Sequence, residues 1–120
     1  MTRMSRLSKA TMAFTAGAWL VGATAIAAQA QEASQLYEKS CTNCHGPSGK
    51  GDGKAGKMLK PPPADLGVVL KGQADADVAK IIKEGGKAVG KSAMMPAFGS
   101  KLNDDQVNGL VQLVKGFVGK

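Results

Sequence analysis

The sequence predicts an all-α fold: three to four helices joined by long irregular loops. Three observations lead there. Apolar residues recur at helical spacing in three separate segments, no segment alternates in the manner of a β-strand, and glycine, lysine and proline crowd the stretches between. The chain has 120 residues, enough for one small domain.

The first thirty residues differ from the rest. Arg3, Arg6 and Lys9 precede a weakly apolar run from Ala10 to about Ala28, and no acidic residue occurs before Glu32. The run ends in Ala28-Gln29-Ala30, small residues flanking Gln29. A basic start, an apolar middle and a small-residue end describe a secretory signal peptide over residues 1–30, cut after Ala30. Thr11, Thr15, Gly17, Gly22 and Thr24 dilute the run, whereas a membrane-spanning helix wants about 20 strongly apolar residues. The expected product is a domain over residues 31–120, exported and without stable membrane insertion. Its thirteen lysines and nine acidic groups leave a net charge of +4. Tyr37, Phe98 and Phe117 are its only aromatic residues. So small a domain with so few large side chains is short of core, which suggests that something besides side chains fills its centre.

The first helix is expected from about Ala33 to Asn43, where Leu36, Tyr37, Ser40, Cys41 and Cys44 fall on one face. The second is expected from Asp75 to Glu84, with Asp75 as cap, Val78, Ile81 and Ile82 as the apolar stripe, and Gly85 closing its end in the left-handed conformation. The third is expected from Asp104 to Phe117. Asn103 and Gln106 form a capping-box pattern, and Val107, Leu110, Val111, Val114 and Phe117 make its apolar face. Gly109 interrupts this helix, as either a close helix crossing or a tolerated surface glycine would account for. The loops 46–65 and 85–101 are too long for a compact domain unless they serve a site.

"CTNCH", residues 41–45, holds both cysteines and the only histidine. Structural zinc needs four ligands and this segment offers three. A thioredoxin-like pair needs a preceding strand, and none is expected before Cys41. A disulfide between Cys41 and Cys44 would close too short a loop to stabilise much. Covalent haem attachment accounts for all three residues. The vinyl groups lie on one edge of a flat ring, so thiols three residues apart on a helical turn reach both, and the next residue can place its imidazole on the iron. Cys41 and Cys44 are therefore the expected thioethers of one haem c, and His45 an iron ligand. The second axial position falls to a methionine, a pairing that raises the reduction potential. Of Met58, Met94 and Met95, the expected ligand is Met95, held off helical backbone by Pro96 in "GKSAMMPAFG". Met94 is expected as an apolar contact against the ring.

The order of "CTNCH", the glycine- and lysine-rich loop, "PPPADL", "IIKEGG", "MPAF" and a C-terminal amphipathic helix resembles that of class I c-type cytochromes, and the resemblance covers essentially residues 31–120. It implies a small cytochrome c fold with long loops wrapped around one covalently attached haem, bearing His45 and Met95 as axial ligands. It implies a crossing of the terminal helices, a carbonyl of Pro61, Pro62 or Pro63 accepting the other imidazole hydrogen, Leu66 packed on the haem, and one haem edge exposed. The function implied is electron transport in the periplasm by a monomeric single-electron carrier, not an enzyme. Its expected partners are redox proteins docking transiently at the haem edge, not nucleic acid. Lys50, Lys54, Lys57, Lys60, Lys80, Lys83, Lys87 and Lys91 are candidates for a positive rim. One alternative is a subunit delivering electrons within a larger oxidoreductase. Another, disfavoured by "MMPAF", is an open-site haem enzyme or gas sensor.

Overall fold

The computed structural model describes residues 20–120, with side chains from residue 22 onward. The described residues are all-helical, as expected. The elements are α1 (Leu20–Ser40), α2 (Thr42–His45), a 3-10 turn (Gly56–Met58), α3 (Leu66–Val69), α4 (Asp75–Ala88) and α5 (Asp104–Lys115). No helix among them is long and apolar enough to cross a membrane. Residues 1–19 of the expected leader lie outside the described residues.

α1 begins thirteen residues earlier than the expected Ala33. The extension is rich in alanine and lacks proline, which favours helix, and it is tied to α5 where Gln106 Nε2 donates to Glu32 Oε1 at 2.8 Å. Residues 22–32 are all exposed, and burial starts at Ala33. The helix gives way at Cys41, whose backbone (φ −117°, ψ −36°) departs from helical values, and resumes as the single turn α2. Cys41 nevertheless stays in the hydrogen-bond ladder. Its N–H donates to the Tyr37 carbonyl at 2.9 Å, and its own carbonyl accepts from Cys44 and His45.

α5 carries the core. Val107, Leu110, Val111 and Val114 are buried along one face and pack with Tyr37, Leu70 and Val78. Its capping box is present: Asn103 Oδ1 accepts from the Gln106 N–H, and Gln106 Oε1 accepts from the Asn103 N–H. The terminal helices cross at Gly109, where an added Cβ would lie 3.2 Å from Ala33 Cβ. The helix stops at Lys115 rather than Phe117. Gly116 and Phe117 tighten the last turn, and Phe117 meets Tyr37 edge-on with ring centroids 5.5 Å apart.

α4 differs from expectation at both ends. Ala74, in extended backbone, occupies the N-cap position, and Asp75 is the first helical residue. The Asp75 carboxylate is drawn across to α5, where it accepts from Gln112 Nε2 at 2.8 Å and pairs with Lys115. At the other end Gly85 does interrupt the helix with positive φ, but at ψ 168° it is extended rather than left-handed helical, and one more turn follows it. The loops also hold more structure than the sequence announces. α3 is capped by Asp65, whose Oδ1 accepts from the Gly67 N–H at 2.8 Å. One turn is far too short to be stable alone; α3 is anchored by the Leu66 N–H on the Gly49 carbonyl and by Leu70, buried just beyond it.

The Asp75–Lys115 contact makes a pH prediction. Hydrogen bonds from Lys115 and Gln112 hold the Asp75 carboxyl below its ordinary value of 3.8. A carboxyl lowered by folding stabilises the fold above its unfolded value and loses that contribution as pH falls through the folded one. Asp75→Asn is therefore expected to cost stability at neutral pH and progressively less below about pH 4, as read by chemical denaturation at each pH. The increment is small, because the carboxylate is exposed to solvent.

Candidate functional site

A cavity of about 420 Å³ opens among α1, α2, α4 and the two long loops. Its wall is almost wholly apolar and includes Leu36, Leu59, Leu70, Val78, Ile82 and Phe98. Cys41, Cys44 and His45 lie on that wall, as do Met94, Met95 and the run Pro61–Pro63. The segments 41–45 and 94–95, some fifty residues apart in the chain, therefore face one space.

The position of α2 is set by a loop that folds back beneath it. The Gly46, Gly51 and Ala55 N–H groups donate to the Thr42, His45 and Asn43 carbonyls at 2.8–2.9 Å. Glycine is required where this loop touches the turn. A Cβ on Gly53 would lie 2.4 Å from both the Thr42 and the Asn43 carbonyl oxygens, and one on Gly56 would lie 2.0 Å from that of Cys44. Gly51 (φ +75°) faces the Pro63 carbonyl, which draws the proline run against the loop. From above, Tyr37 donates its hydroxyl to the Gly46 carbonyl at 2.7 Å. Burial, with smaller contributions from Cys41 and Asp52, pushes that phenol up to about 12.

No disulfide joins Cys41 and Cys44, and both are half-buried. Burial, and secondarily Cys44, pushes the Cys41 thiol up to about 11, so it is protonated at neutral pH. Burial lowers His45, which keeps its imidazole neutral and a ring nitrogen available as a ligand. His45 Nδ1 is buried and has no hydrogen-bond partner. None of the three proline carbonyls accepts from it, although all three prolines line the cavity. An unpartnered buried polar atom costs roughly 1–3 kcal/mol, so His45 is not placed there by the stability of the polypeptide alone.

The three methionines separate. Met95 is half-buried on the cavity wall, Met94 lines the same cavity but is 62% exposed, and Met58 is 78% exposed and does not line it. Leu66 is half-buried and also lines the cavity. Of the lysines considered for a rim, Lys83 is half-buried and paired with Asp104, while the others are exposed. Sequence reasoning passed over Gly53 and Gly56. The glycine density of residues 46–56 was the available signal, but nothing in it says which backbone each glycine must approach.

The donor set suits haem and no bare ion. Among the described residues, no three His, Cys, Asp or Glu side chains converge to hold a metal directly. A flat apolar group bound by two thiols on one edge, with an imidazole beside it, matches the chemistry of the wall, and the cavity lies in the usual range for cofactor pockets, about 300–1,000 Å³. No curated protein and no solved structure matches the chain. The family model described as "Cytochrome C oxidase, cbb3-type, subunit III" matches residues 28–114. That span takes in the C-x-x-C-H turn, both long loops and nearly all of α5, so the chain belongs to this family of haem-binding, electron-transferring c-type cytochrome domains.

Proposed function

We propose that the chain is an exported single-electron carrier that acts in the periplasm as a monomer and holds one haem c. When bound, the haem supplies an Fe(II)/Fe(III) couple. Cys41 and Cys44 would hold it through thioethers, and His45 and Met95 would bind the iron from its two sides. With His45 and Met95 both holding the iron, no position on it would be left for a substrate, which makes the domain a carrier and not an enzyme. Leu36, Leu70, Val78 and Ile82 exclude water, and a dry wall disfavours the extra charge of the oxidised state. The observation that carries this reading is the one apolar cavity that Cys41, Cys44, His45 and Met95 share.

Export rests on the basic start, the diluted apolar run and the small-residue end of residues 1–30; the onset of burial at Ala33 agrees with a domain beginning near Gln31. Redox partners would dock transiently at the exposed haem edge, with lysine charge raising the encounter rate more than the affinity. A second reading, favoured by the description of the matching family, is a subunit that delivers electrons within an oxidase. Copurification with a membrane oxidase after detergent extraction would select it over the free carrier.

The intact mass of the protein purified from periplasm tests the main reading. The expected mass is that of residues 31–120 plus one porphyrin, with no titratable thiol. Folded, colourless material with both thiols free would refute it.

A further inference from the structure

The helix break in α4 has a use beyond ending the helix. In an unbroken helix the Ile82 carbonyl would accept from the Gly86 N–H, and the Lys83 carbonyl from the Lys87 N–H. Gly85, at φ +79° and ψ 168°, turns the chain out of that ladder. The Gly86 N–H donates instead to the Met95 carbonyl at 3.0 Å, and the Gly86 carbonyl accepts from the Lys91 N–H at 2.8 Å. The freed Ile82 and Lys83 carbonyls accept from the Phe98 and Gly99 N–H groups, each at 3.0 Å. Four backbone hydrogen bonds thus fasten residues 91–99 to the end of α4, with Met95 in their midst.

The approach leaves no room for side chains. A Cβ on Gly86 would lie 2.1 Å from the Ser92 carbonyl oxygen and 3.1 Å from Met95 Cβ. A Cβ on Gly85 would lie 2.9 Å from the Met95 carbonyl oxygen and 3.0 Å from the Ala97 nitrogen. Gly86 also lines the cavity that Met95 and His45 share. We propose that Gly85 and Gly86 are positioning residues for the methionine ligand: the broken end of α4 is a backbone template that sets where Met95 enters the cavity. This rests on the reading of Met95 as an axial ligand. A methyl group at Gly86 must push the 92–95 backbone away, because the atom it meets is a main-chain oxygen and not the end of a flexible side chain.

The test uses the full-length holoprotein. In Gly86→Ala the ferric spectrum is expected to lose the weak long-wavelength thioether-to-iron band and gain high-spin features, while the haem stays covalently attached and helical circular dichroism is retained. Gly109→Val, at the α1–α5 crossing, is expected to lose stability and keep the band. If Gly86→Ala yields no holoprotein, Gly85→Ala is read in the same way: its contacts lie near 3 Å, and its positive φ strains the same break in α4. A band that survives in the folded glycine variant while Met95→Ala abolishes it would overturn the positioning role alone. A band that survives Met95→Ala would overturn the ligand reading and this inference together.

Discussion

Met95→Ala is expected to turn a low-spin ferric haem into a high-spin one, abolish the thioether-to-iron band and open the iron to added imidazole. Met94→Ala is expected to do none of these. The two residues are adjacent and chemically identical, so the difference must come from placement. Met95 is half-buried on the cavity wall, its carbonyl is fixed by the Gly86 N–H, and a Cβ on Gly86 would crowd its own Cβ. Met94 is 62% exposed, and its N–H reaches no farther than the Ser92 hydroxyl oxygen, 3.2 Å away. Axial ligands account for a spread of about 0.8 V among haem proteins, and a thioether favours the reduced iron, so the midpoint potential of Met95→Ala is expected to fall by a substantial part of that range. Ferric absorption and a redox titration of the two variants check both statements. The reverse pattern would move the ligand to Met94.

What the sequence revealed and what it hid follow from how far each constraint reaches. The capping box at Asn103 and Gln106, the apolar face of α5 and the close crossing at Gly109 are local or periodic, and all three are found in the structure. Cys41, Cys44 and His45 could be grouped because five consecutive residues hold them all. Met95 could be matched to them only through chemistry, since nothing local joins residue 45 to residue 95. The cavity brings them to one space. The failures have the opposite character. Asp75 looked like a cap because its neighbours look like a helix start; it serves α5 instead, and Lys115 lies forty residues away. α3 is a single turn held by contacts with residues 49 and 117, so no periodicity could announce it. The glycines of residues 46–56 and Gly86 look like ordinary loop composition, and Gly85 looks like a simple helix stop. Their necessity lies in carbonyl oxygens that only the folded chain brings near.

Gly56→Ala is expected to be among the most damaging single methyls that the domain can receive near its site. Glycine-to-alanine changes usually help when the backbone conformation is ordinary, by about 0.4–1 kcal/mol, because they restrict the unfolded chain. The backbone at Gly56 is ordinary: it sits in the 3-10 turn and does not have positive φ. Conformation alone would therefore predict a stabilised protein. Sterics reverse the sign. The new Cβ would lie 2.0 Å from the Cys44 carbonyl oxygen and 2.9 Å from its carbonyl carbon, and the Gly51 carbonyl oxygen closes the other side at 3.0 Å. None of these is a side-chain atom that can rotate away. Relief requires moving either the 53–58 segment, which would strain the Ala55 N–H bond to the Asn43 carbonyl, or the Cys44–His45 turn itself. Overpacking a well-packed interior costs typically about 1–3 kcal/mol, and a clash confined to backbone belongs at or above the upper end. Against a total stability of roughly 5–15 kcal/mol, that is a large fraction for a small domain. Gly72→Ala supplies the contrast. Gly72 has φ +76° but nothing within 4 Å of its Cβ, so that change costs only the conformational strain, about 1–2 kcal/mol. Denaturation midpoints and the yield of haem-loaded protein should therefore fall further for Gly56→Ala than for Gly72→Ala, although only Gly72 has the backbone angle that normally demands glycine. Equal losses would mean that the loop does not press on the Cys44 carbonyl, and the cradle beneath residues 41–45 would have to be redrawn.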